Sequence, residues 1–598
     1  MRVVYCGVRV PPINWHSPDR MHPTPHFRGL RTSCLLAGLL GYVAGWAPQA
    51  GGQTVKTTPP SGAPSPAALY EGLQPGVSTI EDVKKKLGEP AHEASWYAWK
   101  MLYPSKRMPG HFDAIHIQDR RKIGDVESAG GPEGFENLAA VREKLGEPEF
   151  YLEFSRQALA DYSERGLRFT FDAEGRTVGT VYFPQGFPRV HSGERRTISL
   201  RSLRQGPQPA PASAPESAGP ELLAGAAEAD ISPREPDWLG PTRFVLHDPL
   251  KARAAVFARG DLRVAIVGGD IFGMRKIDVD PIEARLREKG ISHLLLAMSH
   301  VHSAGDPIGI YGHYPEKFVQ RIQEGVFEAV TAALGALRPV ATLRGASDEL
   351  SLAGGRVEGL FRNARNPGIV DPQIAVVQAL GADGKAIVTL AHFACHPEGI
   401  QHDREKPLEV SADYPGYLCD ALRETTGAQA VFLNGALGGM VSGDTRARTH
   451  EEASTQGRRL AKEIERLLTF AVVMPRKVEF ERSRLEIPVT NPQMVAFELS
   501  SGRKSSYRGR NVTEMFHLQL GGAELITIPG ELLPEVSFEI LERMKGYPRM
   551  IVGLTNDEIG YIIPPYDFRS GDYEESMSLG PAAAPAVLRQ AFRFLEAK

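Results

Sequence analysis

The stretch "HLLLAMSHVHSAGD", His293 to Asp306, decides how this chain is read. An apolar run of strand length ends in two histidines one residue apart, His300 and His302. On an extended strand the side chains at i and i+2 share a face, so both imidazoles look into one cleft. Two readings stay open at this point: a metal ligand with a substrate group, or two polar residues that close a strand.

Working outward, the same texture recurs. "RVAIVGGDIFG" carries Asp270 at the end of its apolar run, "AIVTLAHFACH" ends at His396, and "AVFLNGA" carries Asn434. Between them lie helical patterns such as "PIEARLREKG" and "EKFVQRIQEGVFEAVTAALGAL". Buried strands alternating with helices predict an α/β architecture from Leu222 onward. Ligand sites in such folds gather at strand ends, where loops carry chemistry on a rigid scaffold. The repeated polar strand ends are therefore a functional signal.

Individually these residues have plainer explanations. In "AHFACHPEGI", alternation lets only one of Cys395 and His396 face the cleft; imidazole is the commoner ligand in exported proteins, which leaves Cys395 as a small buried hydrophobe. "AVFLNGALGGMVSGD" runs into a small-residue turn that either offers backbone N–H groups to a substrate oxygen or packs tightly. Glu531 follows the strand of "ELITIPGELLPEV", where a lone glutamate is usually a helix-start residue. Tyr561 in "MIVGLTNDEIGYIIPPYDF" is, alone, core or interface filler.

The totals bound the rest. At roughly 100 to 200 residues per domain, a chain of 598 residues holds about two to four domains. Lysine and arginine (69) nearly balance aspartate and glutamate (72), so the net charge of -3 supplies no field to steer nucleic acid, and no nucleic-acid partner is expected. Four cysteines, two of them (Cys6 and Cys34) near the start, exclude a disulfide scaffold.

"RGLRTSCLLAGLLGYVAGWA" sets Arg28 and Arg31 before an apolar stretch from Cys34 to Ala47, with Gly45 and Ala47 spaced for cleavage. The stretch falls short of the ~20 residues that span a bilayer, so residues 1–50 read as a secretory signal region with Met21 as an alternative start. Export to the periplasm or beyond is expected. Pro-, Ala- and Ser-rich linkers at 51–65 and 204–220 bracket a module at 66–203. Within it "STIEDVKKKLGEP" is echoed by "ENLAAVREKLGEP", and "GLRFTFDAEGRTVGTVYFP" alternates as a β-hairpin. The module is thus a small α+β unit with an internal repeat. Its helix ending in "LGEP" and its hairpin resemble the small outer-membrane assembly lipoproteins, which implies docking to a membrane surface or envelope partner.

In order, "AGAAEADISP", "HDPLKARAAVF", "AMSHVHSAGD", "FACHPEGI", "SADYPGY", "FLNGALGG", "IPGELLPE" and "NDEIGYII" resemble the neutral/alkaline non-lysosomal ceramidase family. The resemblance covers about residues 222 to 598, and the domain is placed at 221–598. It implies mixed β-sheets sandwiched by helices. It also implies a Zn2+ site formed by His300, His396, Glu531 and Tyr561, a nitrogen and oxygen set that suits zinc. By the same resemblance His302 faces the substrate, and Tyr573, Arg365 and Ser442 are catalytic. Arg365 is chosen over Arg362 in "FRNARNPG", and Ser442 reaches the family's serine position by a one-residue shift, without which Val441 occupies it.

The implied function is an exported zinc-dependent amidohydrolase acting on a lipid-like N-acyl amide, ceramide or a relative. Zinc lowers the pKa of bound water to about 7, Arg365 and Tyr573 steady the oxyanion, and His302 passes a proton to the leaving nitrogen. The alternatives are an envelope binding protein that keeps the fold without turnover, and a zinc hydrolase of a different ester or amide.

Overall fold

The structure, a computed structural model, describes residues 69–598 apart from 95–98, 110, 119–121, 155–156, 185–195, 201–219, 235–243, 311–313, 353–356, 358–359, 367, 401–407, 440, 444–447, 501–508, 569–572 and 597–598. The expected signal region 1–50, the linker 51–65 and the linker 204–220 up to its last residue lie outside the described residues. Of the two units into which the chain divides, 1–63 and 64–598, the second is described below.

From Leu222 the chain builds one supersecondary unit three times. In the first, Leu222–Asp230, Lys251–Arg259 and Leu262–Gly269 pair antiparallel; the helix Lys276–Glu288 then crosses over, and His293–Met298 returns parallel to the third strand. The second repeats this with Thr342–Glu349, Gln373–Leu380, Ala386–Phe393, helix Asp413–Thr426 and Gln429–Asn434. The third uses Val478–Pro488, Arg510–Leu520, Ala523–Thr527, helix Pro534–Leu541 and Arg549–Val552. A parallel return needs a crossover, and a helix supplies it each time. Another helix follows each fourth strand: Glu316–Gly335, His450–Leu468 and Ala583–Glu596.

Alternation along the strands assigns the faces. Ala255, Phe257, Val264, Ile266 and Leu295 of the first sheet meet Val377, Leu390 and Leu433 of the second, and Phe516, Leu525 and Met550 of the third, in one shared core. Their neighbours, such as Ala254, Val256, Ala265 and Val267, turn outward onto the first unit's own helices. The second sheet does the same through Val376, Ala391 and Phe432, and the third through Ile526 and Ile551. This is the expected α/β arrangement of mixed sheets covered by helices. It leaves the ends of the third and fourth strands of each unit free to carry the site.

The module folds as two matching halves. Helix α1 (Ile80–Leu87) starts at a Thr79 capping box, helix α2 (Leu138–Leu145) at an Asn137 cap, and each stops at a glycine with positive φ, Gly88 and Gly146. After α1 come β1 (His92–Ala94), β2 (Trp99–Pro104), β3 (Phe112–Gln118) and β4 (Lys122–Ala129). After α2 come β5 (Phe150–Phe154), β6 (Gln157–Tyr162), β7 (Leu167–Phe171) and β8 (Thr177–Tyr182), with β9 (Arg196–Leu200) added at the edge. The sheet order β1-β2-β3-β4-β8-β7-β6-β5-β9 places the halves back to back. Tyr103 donates its hydroxyl to the Gly88 carbonyl, and Tyr162 does the same to Gly146. The expected hairpin is the β7–β8 pair.

The module does not stand apart. Phe150, Leu152, Phe154 and Leu159 join the core around helix Pro534–Leu541, and the Phe154 ring stacks on Phe538 with centroids 3.6 Å apart.

One buried histidine makes the three-sheet core sensitive to acid. His392 donates from Nε2 to the Ile551 carbonyl at 2.8 Å, joining the second sheet to the third, and burial lowers its pKa from 6.5 to about 4. The unfolded chain therefore binds a proton near pH 6.5 that the native state refuses until about pH 4, so stability rises with pH across that window. The linked loss on acidification is on the order of 3 kcal/mol. Urea unfolding at pH 7 and pH 4.5 checks this: His392→Gln is expected to unfold with a shallower pH slope than the wild type, and an unchanged slope contradicts the assignment.

Candidate active site

The expected site residues gather where the strands of the three units end. The strand preceding His300 stops at Met298, and His300 itself has φ 67, in the left-handed region that residues other than glycine seldom adopt. His302 begins a 3₁₀ turn, His302–Ala304. The two rings do meet, with centroids 4.9 Å apart, but a strained turn brings them together and not the extended strand that the i, i+2 spacing implies. The strain is held by hydrogen bonds from the His300 N–H to the Ile271 carbonyl (2.9 Å) and from Nδ1 to the Phe272 carbonyl (2.7 Å).

His396 is anchored in the same manner. Its backbone N–H donates to the Val441 carbonyl at 2.7 Å, and its Nδ1 lies 3.2 Å from the same oxygen. With Nδ1 of each ring turned to a carbonyl, both Nε2 atoms face Glu531, whose Oε2 is 3.0 Å from His396 and 3.5 Å from His300. Tyr561 is the register partner of Glu531 in the short parallel ribbon of Glu531–Leu532 with Tyr561–Ile562. Burial would raise the Glu531 carboxyl, yet the two imidazoles hold it well below the carboxylate range. In return Glu531 raises His396 against the effect of burial. Convergent imidazole nitrogens on a carboxylate, with each ring's other nitrogen tied to a carbonyl, are a donor set and outer support that suit a metal ion.

One ring nitrogen from each of His300, His302 and His396 lies within 4.8 Å of the other two. What sets His302 apart is Glu398, whose Oε1 lies 3.5 Å from its Nδ1 while Oε2 accepts the Ser442 hydroxyl at 2.8 Å. Burial takes His302 down to about 3 in spite of that carboxylate. Glu398, which burial would raise, is held at about 2 by His302, His396 and Arg448 and by the Ser442 hydroxyl. Sequence reasoning missed Glu398. The available signal was its place two residues after His396 in "HPEGI", a buried acid beside an imidazole. Of the two residues that the motif offers for the serine position, Val441 packs into the second unit's helix-side core and Ser442 turns to Glu398.

Arg365 is placed differently from the expectation. Its Nε donates to Asp567 Oδ2 (2.9 Å), Nη1 to Glu574 (3.1 Å) and Glu575 (3.3 Å), and Nη2 to the Asp567 carbonyl (2.5 Å) and Glu575 (2.7 Å). A guanidinium has five N–H donors, and all five are committed. Arg365 therefore has none left for an oxyanion; it grips the two residues that follow Tyr573. The Tyr573 ring lies 6.0 Å from that of Tyr561.

Other polar strand ends serve structure. Asp270 pairs with the buried Arg253 at 2.6 Å, and the Ala436–Gly438 turn packs tightly: Gly438 donates to the Leu532 carbonyl, and a Cβ there would lie 2.7 Å from the Glu531 carbonyl oxygen. Cys395 and Cys419 are both buried and unpaired. A second group of metal-type donors, His247, Asp248 and His450, is more exposed. Its imidazoles stack face to face at 3.5 Å, with planes 8° apart, so their in-plane lone pairs do not converge on one ion.

No protein-family model matches the chain, and no curated protein matches it. Among solved structures the chain is similar to neutral ceramidase from Pseudomonas aeruginosa, at 18% identity and a TM-score of 0.53, over 63% of this chain and 75% of that one. It is also similar to a ceramidase complexed with C2, at 16% identity and a TM-score of 0.52, over the same shares. At these identities the likeness is one of fold, and the fold implied by the sequence motifs is the one these structures share with this chain.

Asn434 ties the site together. Its Nδ2 donates to the carbonyls of Ser299 (2.8 Å) and Cys395 (3.0 Å), and its Oδ1 accepts the N–H groups of Cys395 and Gly435. Asn434→Ala strands buried backbone groups beside both histidines, and a loss of about 3 kcal/mol is expected from the usual cost of unsatisfied groups. Urea unfolding measures it; a loss under about 1 kcal/mol contradicts the linking role.

Proposed function

We propose that the chain is a zinc-dependent amidohydrolase that cleaves an N-acyl amide, ceramide or a related lipid, and that it works after export. The observation that carries this reading is the convergence of His300 Nε2 and His396 Nε2 on the Glu531 carboxylate. His300, His396, Glu531 and Tyr561 would hold the zinc. When bound, zinc supplies Lewis acidity and lowers the pKa of the water it holds to about 7.

The chain's own residues do the rest. Glu398 orients His302 through Nδ1, in the manner of a carboxylate that fixes an imidazole's tautomer; the other nitrogen of the neutral ring would take a proton from the attacking water and return it to the departing amine. Ser442 donates to Glu398 and so steadies the carboxylate that orients His302. Tyr573, whose ring lies beside that of Tyr561, would steady the oxyanion with its phenol. Arg365 acts through Tyr573's neighbours and not on the substrate.

The second reading is an envelope binding protein that keeps the fold without turnover, and the commitment of all five Arg365 donors favours it. A partner at the membrane surface remains an expectation drawn from sequence; the module face around Phe150 and Phe154 is used within the chain.

A fluorogenic N-acyl amide assay with a chelator and zinc add-back tests the proposal. Chelation is expected to abolish turnover and zinc to restore it; chelator-insensitive hydrolysis overturns the zinc scheme, and a zinc-loaded but inert protein selects the binding reading. His302→Ala is expected to keep its metal while kcat falls about 100-fold or more, the usual worth of general acid–base catalysis. Wild-type kcat in that variant contradicts the proton-transfer role.

A further inference from the structure

We propose that the N-terminal module is a working part of the active site, and that its Arg168 is a positioning residue which acts through Asp567 and Arg365 on the segment carrying Tyr573. The consequence for turnover rests on the amidohydrolase reading above; the structural link does not.

Arg168 lies on β7 and is 1% exposed. One side of its guanidinium stays inside the module, with Nη2 donating to Asp161 at 2.7 Å. Nη1 leaves the module and donates to Asp567 Oδ1 at 2.6 Å and to the Asn366 side-chain oxygen at 2.5 Å. The other oxygen of Asp567 takes the Nε–H of Arg365 and, at 3.1 Å, the Asn366 amide. One carboxylate thus joins two buried guanidiniums, one from each part of the chain. Arg365 completes the path by gripping Glu574 and Glu575, the residues directly after Tyr573.

The surrounding contacts have the character of an interior and not of a linker-tethered encounter. Gln157 exchanges two hydrogen bonds with the backbone of Val370, donating from Nε2 at 3.0 Å and accepting at Oε1 at 2.8 Å. Gly368, with φ +93, lies so close to the module that a Cβ there would sit 2.8 Å from Val178 Cγ2. The Phe150 ring stacks on Tyr566, next to Asp567, at 4.4 Å. Every one of these contacts falls on the Asn363–Val370 loop or beside Asp567, the two segments that fix Arg365.

A buried carboxylate shared by two cations keeps its geometry while both are present; with one removed, the remaining groups re-pair or admit water. Loss of Arg168 would therefore loosen Asp567, then Arg365, then the Tyr573 turn. Three of the four zinc-type donors, His300, His396 and Glu531, lie off this path, and the fourth, Tyr561, meets it only through its N–H bond to the Met577 carbonyl, so metal held by the first three is expected to stay bound.

The test uses the full chain with Arg168→Met, Arg168→Lys and the double variant Arg168→Met/Asp161→Asn, which removes one charge of each sign and leaves Asp567 paired with Arg365. Hydrogen–deuterium exchange is read on the peptide spanning 573–580, where the Met577 and Ser578 N–H groups are bonded within the turn. The expected result is at least tenfold faster exchange there in Arg168→Met and in the double variant, unchanged exchange in the strands Ala386–Phe393 and Gln429–Asn434, and partial recovery in Arg168→Lys. Unchanged exchange at 573–580 in the folded double variant overturns the positioning role. On a fluorogenic N-acyl amide, kcat is expected to fall at least tenfold with KM within about threefold; faster exchange with wild-type kcat overturns the link to catalysis. A wild type inert on N-acyl amides refutes the amidohydrolase reading, while the exchange result still decides the positioning role.

Discussion

The side-chain amide of Asn434 is the joint on which the site turns. Fully buried, it ends the fourth strand of the second unit and reaches the backbone of Ser299 and Cys395, the residues immediately before His300 and His396. Both imidazoles are thus placed by one rigid amide, so their separation does not depend on long side chains or on mobile loops. Asn556 does similar work from the third unit, donating to the Leu294 carbonyl and accepting the Leu296 N–H. An amide carries both a donor and an acceptor pair, which suits it to close a seam where strands from different sheets end without ladder partners.

Three copies of the same unit explain why the site assembles from such distant residues. Each copy ends its third and fourth strands at the same end of its own sheet, and the three sheets share one core. His300 and His302 follow a fourth strand, His396 and Glu531 follow third strands, and Tyr561 lies beyond another fourth strand. Corresponding places in the other copies were free to become structural, as with Asp270, which neutralises Arg253.

Much of this was legible in the sequence because strand alternation and polar strand ends are local signals. The apolar runs before His300, His396 and Glu531 identify their strands, and the order of the motifs implies the fold. The threefold repeat was not legible, since its copies agree in hydrogen bonding and not in side chains. Glu398 escaped because its meaning comes from His302 and Ser442, partners distant in sequence. The motif points Arg365 at the oxyanion because it shows an arginine but not its competitors; Asp567, Glu574 and Glu575 are some 200 residues away and take every donor. The Pro- and Ala-rich segment after the module suggests independence, yet Arg168 and Gln157 place the module in the same interior as the Asn363–Val370 loop.

Glu398, which accepts the Ser442 hydroxyl, gives the site a carboxylate next to His302, while Glu531 gives one between His300 and His396, so the same small region holds two carboxylates with different imidazoles. That division into a metal-type set and a proton-transfer set is the central claim. Anomalous diffraction at the zinc edge, from crystals of the full chain grown with zinc, tests it most directly. The account predicts a peak bounded by His300 Nε2, His396 Nε2 and the Glu531 carboxylate, with His302 still held by Glu398. No peak there, or a peak confined to His247, Asp248 and His450, would contradict it.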